Sequence, residues 1–206
     1  MKHGTLIAVA ASLAFAAGAA AAQQAVVNQP APSFTAQDTS GKTVSLADFK
    51  GRYVVLEWTN PGCPFVQKHY NSANMPATQK DALGKGAVWL TVSSTAKDAG
   101  DWRPPAELIG WLQSKSAKTT ATLLDEDGRI GRSYGARTTP HMYLIDPHGK
   151  LVYAGAIDSK PTANPADISS ATNYVRQALD EVLAGKPVSQ PQTRAYGCSI
   201  KYASAG

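Results

Sequence analysis

The stretch that decides the fold is Leu56-Glu57-Trp58-Thr59-Asn60-Pro61-Gly62-Cys63-Pro64-Phe65-Val66. It closes a near-continuous apolar run, Tyr53 to Trp58, broken by one Glu, which reads as a strand covered on both faces. A turn follows. Pro64 then opens a helix, since proline at the first helical position lacks only an N–H that has no intrahelical partner there. Cys63 therefore stands where a buried strand gives way to a helix N-terminus. The partial positive charge at such a terminus favours an anionic sulfur by about 0.3–1 kcal/mol, and up to ~2 when partly buried. Lys68 and His69 in the next turns, and the peptide N–H groups of Phe65 and Val66, are further candidates to support a thiolate; Pro64 has no N–H to give.

Upstream of this stretch, Phe34 to Ala36 and Thr43 to Ser45 flank Asp38-Thr39-Ser40-Gly41-Lys42 and read as a hairpin. Leu46 to Phe49 reads as one helical turn stopped by Gly51. Downstream, a helix is predicted from Pro64 to about Leu83, kinked or divided at Met75-Pro76. Ala87 to Ser93 is a second core strand, 94–104 a polar loop, and Pro105 to Ser114 a helix with Leu108, Ile109, Trp111 and Leu112 at helical spacing. Ala121 to Leu124 is a short strand and Ile130 to Tyr134 a helical turn capped by Gly135. His141 to Ile145 and Leu151 to Ala156 form a hairpin around Asp146-Pro147-His148-Gly149-Lys150, and Ile168 to Ala184 is the last helix. The order is β-α-β-α-β-β-α, an α/β class. Its first half is a parallel crossover, right-handed by the general rule, and its second an antiparallel hairpin followed by a helix.

Lys2 and His3 precede an apolar segment from Leu6 to Ala17, and small residues around Ala20-Ala21-Ala22 resemble a cleavage site. Residues 1–22 thus read as a signal peptide, 23–33 as a leader, 34–185 as one domain and 186–206 as a C-terminal tail carrying Cys198. The signal's apolar segment is too short and alanine-rich for a stable membrane anchor. The expected compartment is oxidising, most simply a periplasm. The chain has 206 residues and a formal charge of +5; Lys2 is the only charged residue before Gln23, so the remainder carries +4. Its positive residues are dispersed, which argues against a nucleic-acid partner. No nucleotide loop, zinc constellation, hydrolase triad or flavin fingerprint is present, so no cofactor or metal is expected.

Taken together, the cysteine after Trp58, the Asp125-Glu126-Asp127-Gly128 turn leading to Tyr134-Gly135, and Thr139-Pro140 before a strand resemble the thioredoxin-fold redoxins, in particular the peroxiredoxin-like and thiol-specific-antioxidant-like group. The likeness runs from about Pro32 to Gly185. Cys63-Pro64-Phe65-Val66 and the closing Tyr196-Gly197-Cys198-Ser199-Ile200-Lys201 are similar to an exported subgroup. The resemblance implies a thioredoxin fold with an N-terminal hairpin extension and a C-terminal tail. It implies a thiol–disulfide oxidoreductase or peroxiredoxin-like antioxidant activity, with Cys63 as nucleophile. Thr139 and Pro140 would position substrate backbone, Pro140 through a cis bond, with Trp58 packed below. Glu57, Thr59, His141 and Arg137 are candidates for tuning the thiol. Partners would be a thiol or disulfide protein or a small hydroperoxide, with a periplasmic electron donor.

Two departures from family patterns stand out. The second cysteine of a C-x-x-C would fall at Val66. A peroxiredoxin pattern wants Ser or Thr three residues before the cysteine, and Asn60 is there, with Thr59 one further back. Cys198 is the only other cysteine. It reads either as a resolving partner in a Cys63–Cys198 redox couple, as half of a structural disulfide, or as unbonded to Cys63. A structural bridge closing so long a loop would stabilise by roughly 5 kcal/mol on the chain-entropy model. Two other classes remain: a non-catalytic binding or assembly module with a structural Cys63–Cys198 disulfide, and a copper carrier using both cysteines with His69 or His141.

Overall fold

The computed structural model describes residues 24–204; the signal segment expected at 1–22 lies outside them. The strands are β1 (Thr35–Asp38), β2 (Thr43–Ser45), β3 (Val54–Trp58), β4 (Val88–Ser93), β5 (Ala121–Leu124), β6 (Thr138–Thr139), β7 (His141–Ile145), β8 (Leu151–Gly155) and β9 (Cys198–Ser199). The α-helices are α1 (Pro64–Asn71), α2 (Asn74–Gly84), α3 (Pro105–Ser114), α4 (Arg129–Tyr134) and α5 (Tyr174–Leu183). Seven strands form one sheet in the order β2-β1-β5-β4-β3-β7-β8, and β6 and β9 form a separate pair.

β3 sits inside the sheet, parallel to β4 and antiparallel to β7, with all five residues buried. That explains its almost uninterrupted apolar sequence. Strand alternation sends Val55 toward α1, α2, α3 and α5, where it packs in one cluster with Cys63, Val66, Tyr70, Met75 and Leu179. Val54, Leu56 and Trp58 go to the other face, with Phe34, Ile130, Tyr134 and Tyr143. The sheet thus has a core on each side, and Cys63 belongs to the first.

The helix expected from Pro64 to Leu83 divides just upstream of Met75-Pro76. Ala73 takes a left-handed conformation, φ 59°, and a new helix starts at Asn74. Pro76 has no N–H and its ring would collide with the carbonyl four residues back in a continuous helix; in the first turn of a fresh helix neither problem arises. The last helix is also shorter than its apolar pattern suggests. Residues Pro165–Ser170 form a 3₁₀ turn, and α5 starts after Asn173, whose side chain accepts from the Arg176 N–H as an N-cap.

The tail is not loose. The Ala154 N–H on β8 donates to Pro191 O at 3.1 Å, and Thr193 N–H donates back to Ala154 O at 3.1 Å, which covers the sheet edge. The tail then crosses to β6, where Cys198 and Ser199 pair with Thr139 and Thr138. Beyond that, Ile200 N–H donates to Arg137 O at 3.0 Å, Ala96 N–H to Lys201 O at 2.8 Å, and the Tyr202 hydroxyl to Ala136 O at 2.8 Å. The Tyr202 ring fills a slot over Gly128 and Gly131, where any Cβ would overlap it. Gly131→Ala therefore overfills this slot. The expected cost is about 1–3 kcal/mol, or a melting shift of about 2–4 °C per kcal/mol for a chain of this size. Limited proteolysis should clip the tail of the variant before the core; equal tail protection in the two proteins would refute the slot's role.

Candidate active site

Cys63 is the N-cap of α1, with Pro64 at the first helical position, and is 2% exposed. Its thiol donates to the Thr139 carbonyl at 3.0 Å. The Thr139–Pro140 peptide bond is cis, and both residues are buried. Thr139 is also the strand partner of Cys198. Two cysteines far apart in sequence therefore converge on one residue. Gly197 makes the approach feasible: at φ 137° it lies so close to the Thr139 carbonyl that a Cβ would overlap it.

Both cysteines are thiols here, so the expected Cys63–Cys198 disulfide is not formed in this structure. Cys198 hydrogen-bonds to Cys63 and receives the Phe65 N–H at the start of α1. The peptide group expected to support Cys63 thus serves its partner. Burial, then the hydrogen bond to Cys63 and the charge there, then Asp101, push the Cys198 thiol up to about 12. Cys198 is accordingly a thiol that holds its proton well above the usual thiol range.

The other candidate residues divide sharply. Trp58 does not line the thiol: it is fully buried on the face away from Cys63, packs on Tyr134 and Tyr143 at 5.6 and 5.1 Å between ring centroids, and donates to Ser94 Oγ at 2.9 Å. Its bulk fills the second core, and strand alternation makes that placement unavoidable. Glu57 does face the Cys63 side, and it is fully buried. Its carboxyl accepts from Tyr70 Oη at 2.8 Å, Trp89 Nε1 at 2.8 Å and Gln79 Nε2 at 3.0 Å, and burial raises its pKa. Thr59 is buried with a hydroxyl that has no hydrogen-bond partner among the described residues. Asn60, in the position a peroxiredoxin gives to a hydroxyl residue, accepts from the Gly62 N–H at 2.8 Å and donates to Thr95 Oγ1 at 3.1 Å.

His141 receives the Arg137 N–H at 3.3 Å on Nδ1 and stacks on Tyr143. Burial, and then the charge of Arg137, push it down to about 4. Arg137 itself is exposed. Lys68 is buried against Asp158 at 3.5 Å and donates to Lys160 O at 3.0 Å. The His69 Nδ1 accepts from Asn74 Nδ2 at 2.8 Å, which assigns the proton to Nε2. That Nε2–H donates to Tyr196 Oη at 3.1 Å, whose own hydroxyl donates to Asp158 Oδ1 at 2.5 Å. Lys68 and His69 are therefore committed elsewhere and not to Cys63. No group of three His, Cys, Asp or Glu side chains among the described residues is arranged to hold a metal.

Three residues of this region were not singled out from sequence. Asp158 lies in a segment without periodicity. Asp101 comes from the polar loop and accepts from Asn60 Nδ2 at 3.2 Å and Lys201 Nζ at 3.3 Å. Tyr196 did leave a signal: it is two residues before Cys198, which in an extended segment puts both side chains on one side. It packs edge-on against Phe65 with ring centroids 5.8 Å apart.

A buried cysteine at the strand–helix junction of a mixed sheet, beside a cis-proline, is the arrangement of a thioredoxin-fold redoxin. The chain belongs to the AhpC/TSA family, which matches residues 27–154. It is 26% identical over 129 residues to thiol-disulfide oxidoreductase ResA of Bacillus subtilis, across 59% of this chain and 63% of that one. The match therefore spans less than two thirds of ResA. The thioredoxin domain of a thiol-disulfide oxidoreductase from Bacteroides vulgatus superposes with a TM-score of 0.51 at 25% identity, over 70% of this chain and 96% of that one. An uncharacterized conserved protein from Geobacillus kaustophilus superposes with a TM-score of 0.73 at 26% identity, over 88% of this chain and 94% of that one. No helix among the described residues is long and apolar enough to cross a membrane.

Burial pushes the His69 imidazole down to about 4, with Asp158 pulling it up and Lys68 adding to the fall. Its unfolded value is near 6.5. A depressed folded pKa contributes stability above the unfolded value that is lost as pH falls through the folded one. Between pH 6.5 and 4 the loss approaches about 3 kcal/mol for this imidazole. His69→Gln should melt below wild type at pH 7, and the gap should narrow toward pH 4. Calorimetric melts at several pH values check this; a constant gap would refute it.

Proposed function

We propose that this chain is an exported thiol–disulfide oxidoreductase with Cys63 as nucleophile and Cys198 as resolving cysteine. The observation that carries this reading is the convergence of both cysteines on Thr139, one through a thiol–carbonyl hydrogen bond and the other through strand pairing. The raised pKa of Cys198 supports the order of events, because the thiolate is the attacking form.

With a disulfide R–S–S–R′, the Cys63 thiolate attacks one sulfur, forms a mixed disulfide and releases R′S⁻. Cys198 gives up its proton and attacks the Cys63 sulfur, which closes the Cys63–Cys198 bond and expels RS⁻. The substrate gains two electrons and two protons, and the protein dithiol loses them. With a hydroperoxide, Cys63 takes the terminal oxygen as a sulfenic acid and releases an alcohol; Cys198 then forms the same disulfide and releases water. An external thiol donor resets either cycle. Thr139 and Pro140 flank the reacting sulfur, and Glu57 acts from below through the packing of Tyr70 rather than by touching it.

The N-terminal sequence supports export to a periplasm. A purely structural disulfide is the less economical alternative, because the tail already has hydrogen bonds on both sides of Cys198. Copper carriage is weaker still, since His69 and His141 both have other hydrogen-bond partners.

Cys63→Ser should reduce turnover of both disulfide and hydroperoxide probes to background. Cys198→Ser should keep the first step and accumulate a mixed disulfide or sulfenic acid on Cys63, visible by mass spectrometry. Undiminished turnover in Cys63→Ser would overturn the reading.

A further inference from the structure

The segment that brings Cys198 to Cys63 also occupies the strand edge beside that sulfur. β6 is two residues long, and both of its residues pair with the chain's own Ser199 and Cys198. A polypeptide disulfide reaching Cys63 in extended form would need main-chain partners there, since an open strand edge is where extended backbone adds. That edge is filled, and Cys63 beneath it is almost wholly buried. A compact electrophile needs only a line of approach to the sulfur and no strand pairing.

The filling is anchored on both sides of Cys198. Upstream, the Tyr196 hydroxyl is held by Asp158 at 2.5 Å and by His69 at 3.1 Å, and its ring lies against Phe65 and under the Lys68 ammonium, 5.7 Å from the centroid. Asp158 is itself buried and paired with Lys68. Downstream, Ile200 and Tyr202 hydrogen-bond to Arg137 and Ala136, on the segment that leads into β6. Between these anchors Gly197 allows the main chain to touch Thr139.

We infer that the tail is a built-in occupant of the β6 edge that restricts Cys63 to small-molecule electrophiles and shuts out polypeptide disulfides, with Tyr196, Gly197 and Asp158 as the positioning residues that set this specificity. The inference rests on Cys63 being the nucleophile of the function proposed above. It adds the substrate class that the closed edge admits.

The test uses the full chain carrying Cys198→Ser, which leaves Cys63 as the only thiol. Alkylation rates are measured with iodoacetamide and with an iodoacetyl-capped extended peptide, and their ratio is compared with the tail intact, with Gly197→Ala and with Tyr196→Phe. With the tail intact the peptide reagent should lag by about tenfold beyond its intrinsic reactivity, the kinetic weight of displacing two backbone pairs. Gly197→Ala should abolish most of that lag, and Tyr196→Phe should reduce it. An unchanged ratio in the variants overturns the inference. If Gly197→Ala does not fold, as judged by circular dichroism, Tyr196→Phe decides alone, because it removes one hydroxyl and leaves the ring. Failure of the redox reading shows separately, as undiminished turnover in Cys63→Ser, and leaves the alkylation ratio unaffected.

Discussion

The site depends on one close contact, the main chain at Gly197 against the Thr139 carbonyl. Everything that makes Cys63 and Cys198 a pair follows from it. Two residues of strand pairing are weak by themselves, at about 0.5–1.5 kcal/mol net per hydrogen bond, and would not order a tail of this length alone. They persist because the chain is fixed on either side, by Tyr196 against α1 and by Tyr202 in the slot above Gly128 and Gly131. With both ends fixed, docking the short stretch between them costs little further entropy. Gly128, Gly131, Gly155 and Gly197 thus serve one purpose: each gives up a side chain so that the tail can come in.

The polar interior on the Cys63 side has two separate parts. One is the Glu57 carboxyl, with Tyr70, Trp89 and Gln79 as donors. It ties β3 to α1, α2 and β4 and fixes the orientation of the helix that Cys63 caps. The other is Lys68, Asp158, Tyr196 and His69, which ties the same helix to the tail. A buried ion pair is poor evidence for net stability, because desolvation offsets the attraction. Breaking one by removing a partner is costly, and a fully satisfied network specifies one arrangement. The second part therefore acts as a positional lock, holding Tyr196, and through it Cys198, at one height along α1.

Much of the fold was legible in the sequence because burial and punctuation agree there. The run from Tyr53 to Trp58, the Asp146–Lys150 turn and the cap at Gly135 each have a local cause, and their elements lie within a residue or two of the expected places. The division before α2 was legible in Met75-Pro76, while the start of α5 was placed too early, because Asn173 carries that boundary without interrupting the hydrophobic pattern. At the site, Cys63, Thr139 and Pro140 were visible because their chemistry is tied to backbone position. Trp58 was read as packing below the site, and it packs in the core on the opposite face of the sheet. Asp158 and Asp101 were invisible, since what matters is where a loop carries them. The tail was read only as a tail carrying Cys198, because two short strands and a few tyrosines give almost no periodic signal, and the contacts that hold it are all long-range.

The raised pKa of Cys198 bears on the proposed cycle, because its causes would not all persist through it. Burial raises it, and so do the hydrogen bond to Cys63 and the negative charge there; the Phe65 N–H at the head of α1 lowers it. In the proposed cycle, a Cys63 sulfur bonded to a substrate atom carries no charge. One of the upward causes then vanishes, while the Phe65 N–H remains. In the proposed reaction the Cys198 thiol would become easier to ionise once Cys63 has reacted. Its hydrogen bond to Cys63 keeps the two thiols neighbours, and proximity of that kind would replace a bimolecular encounter with a local one. If Cys198 resolves Cys63 as proposed above, its timing would come from electrostatics rather than from any large movement of the tail.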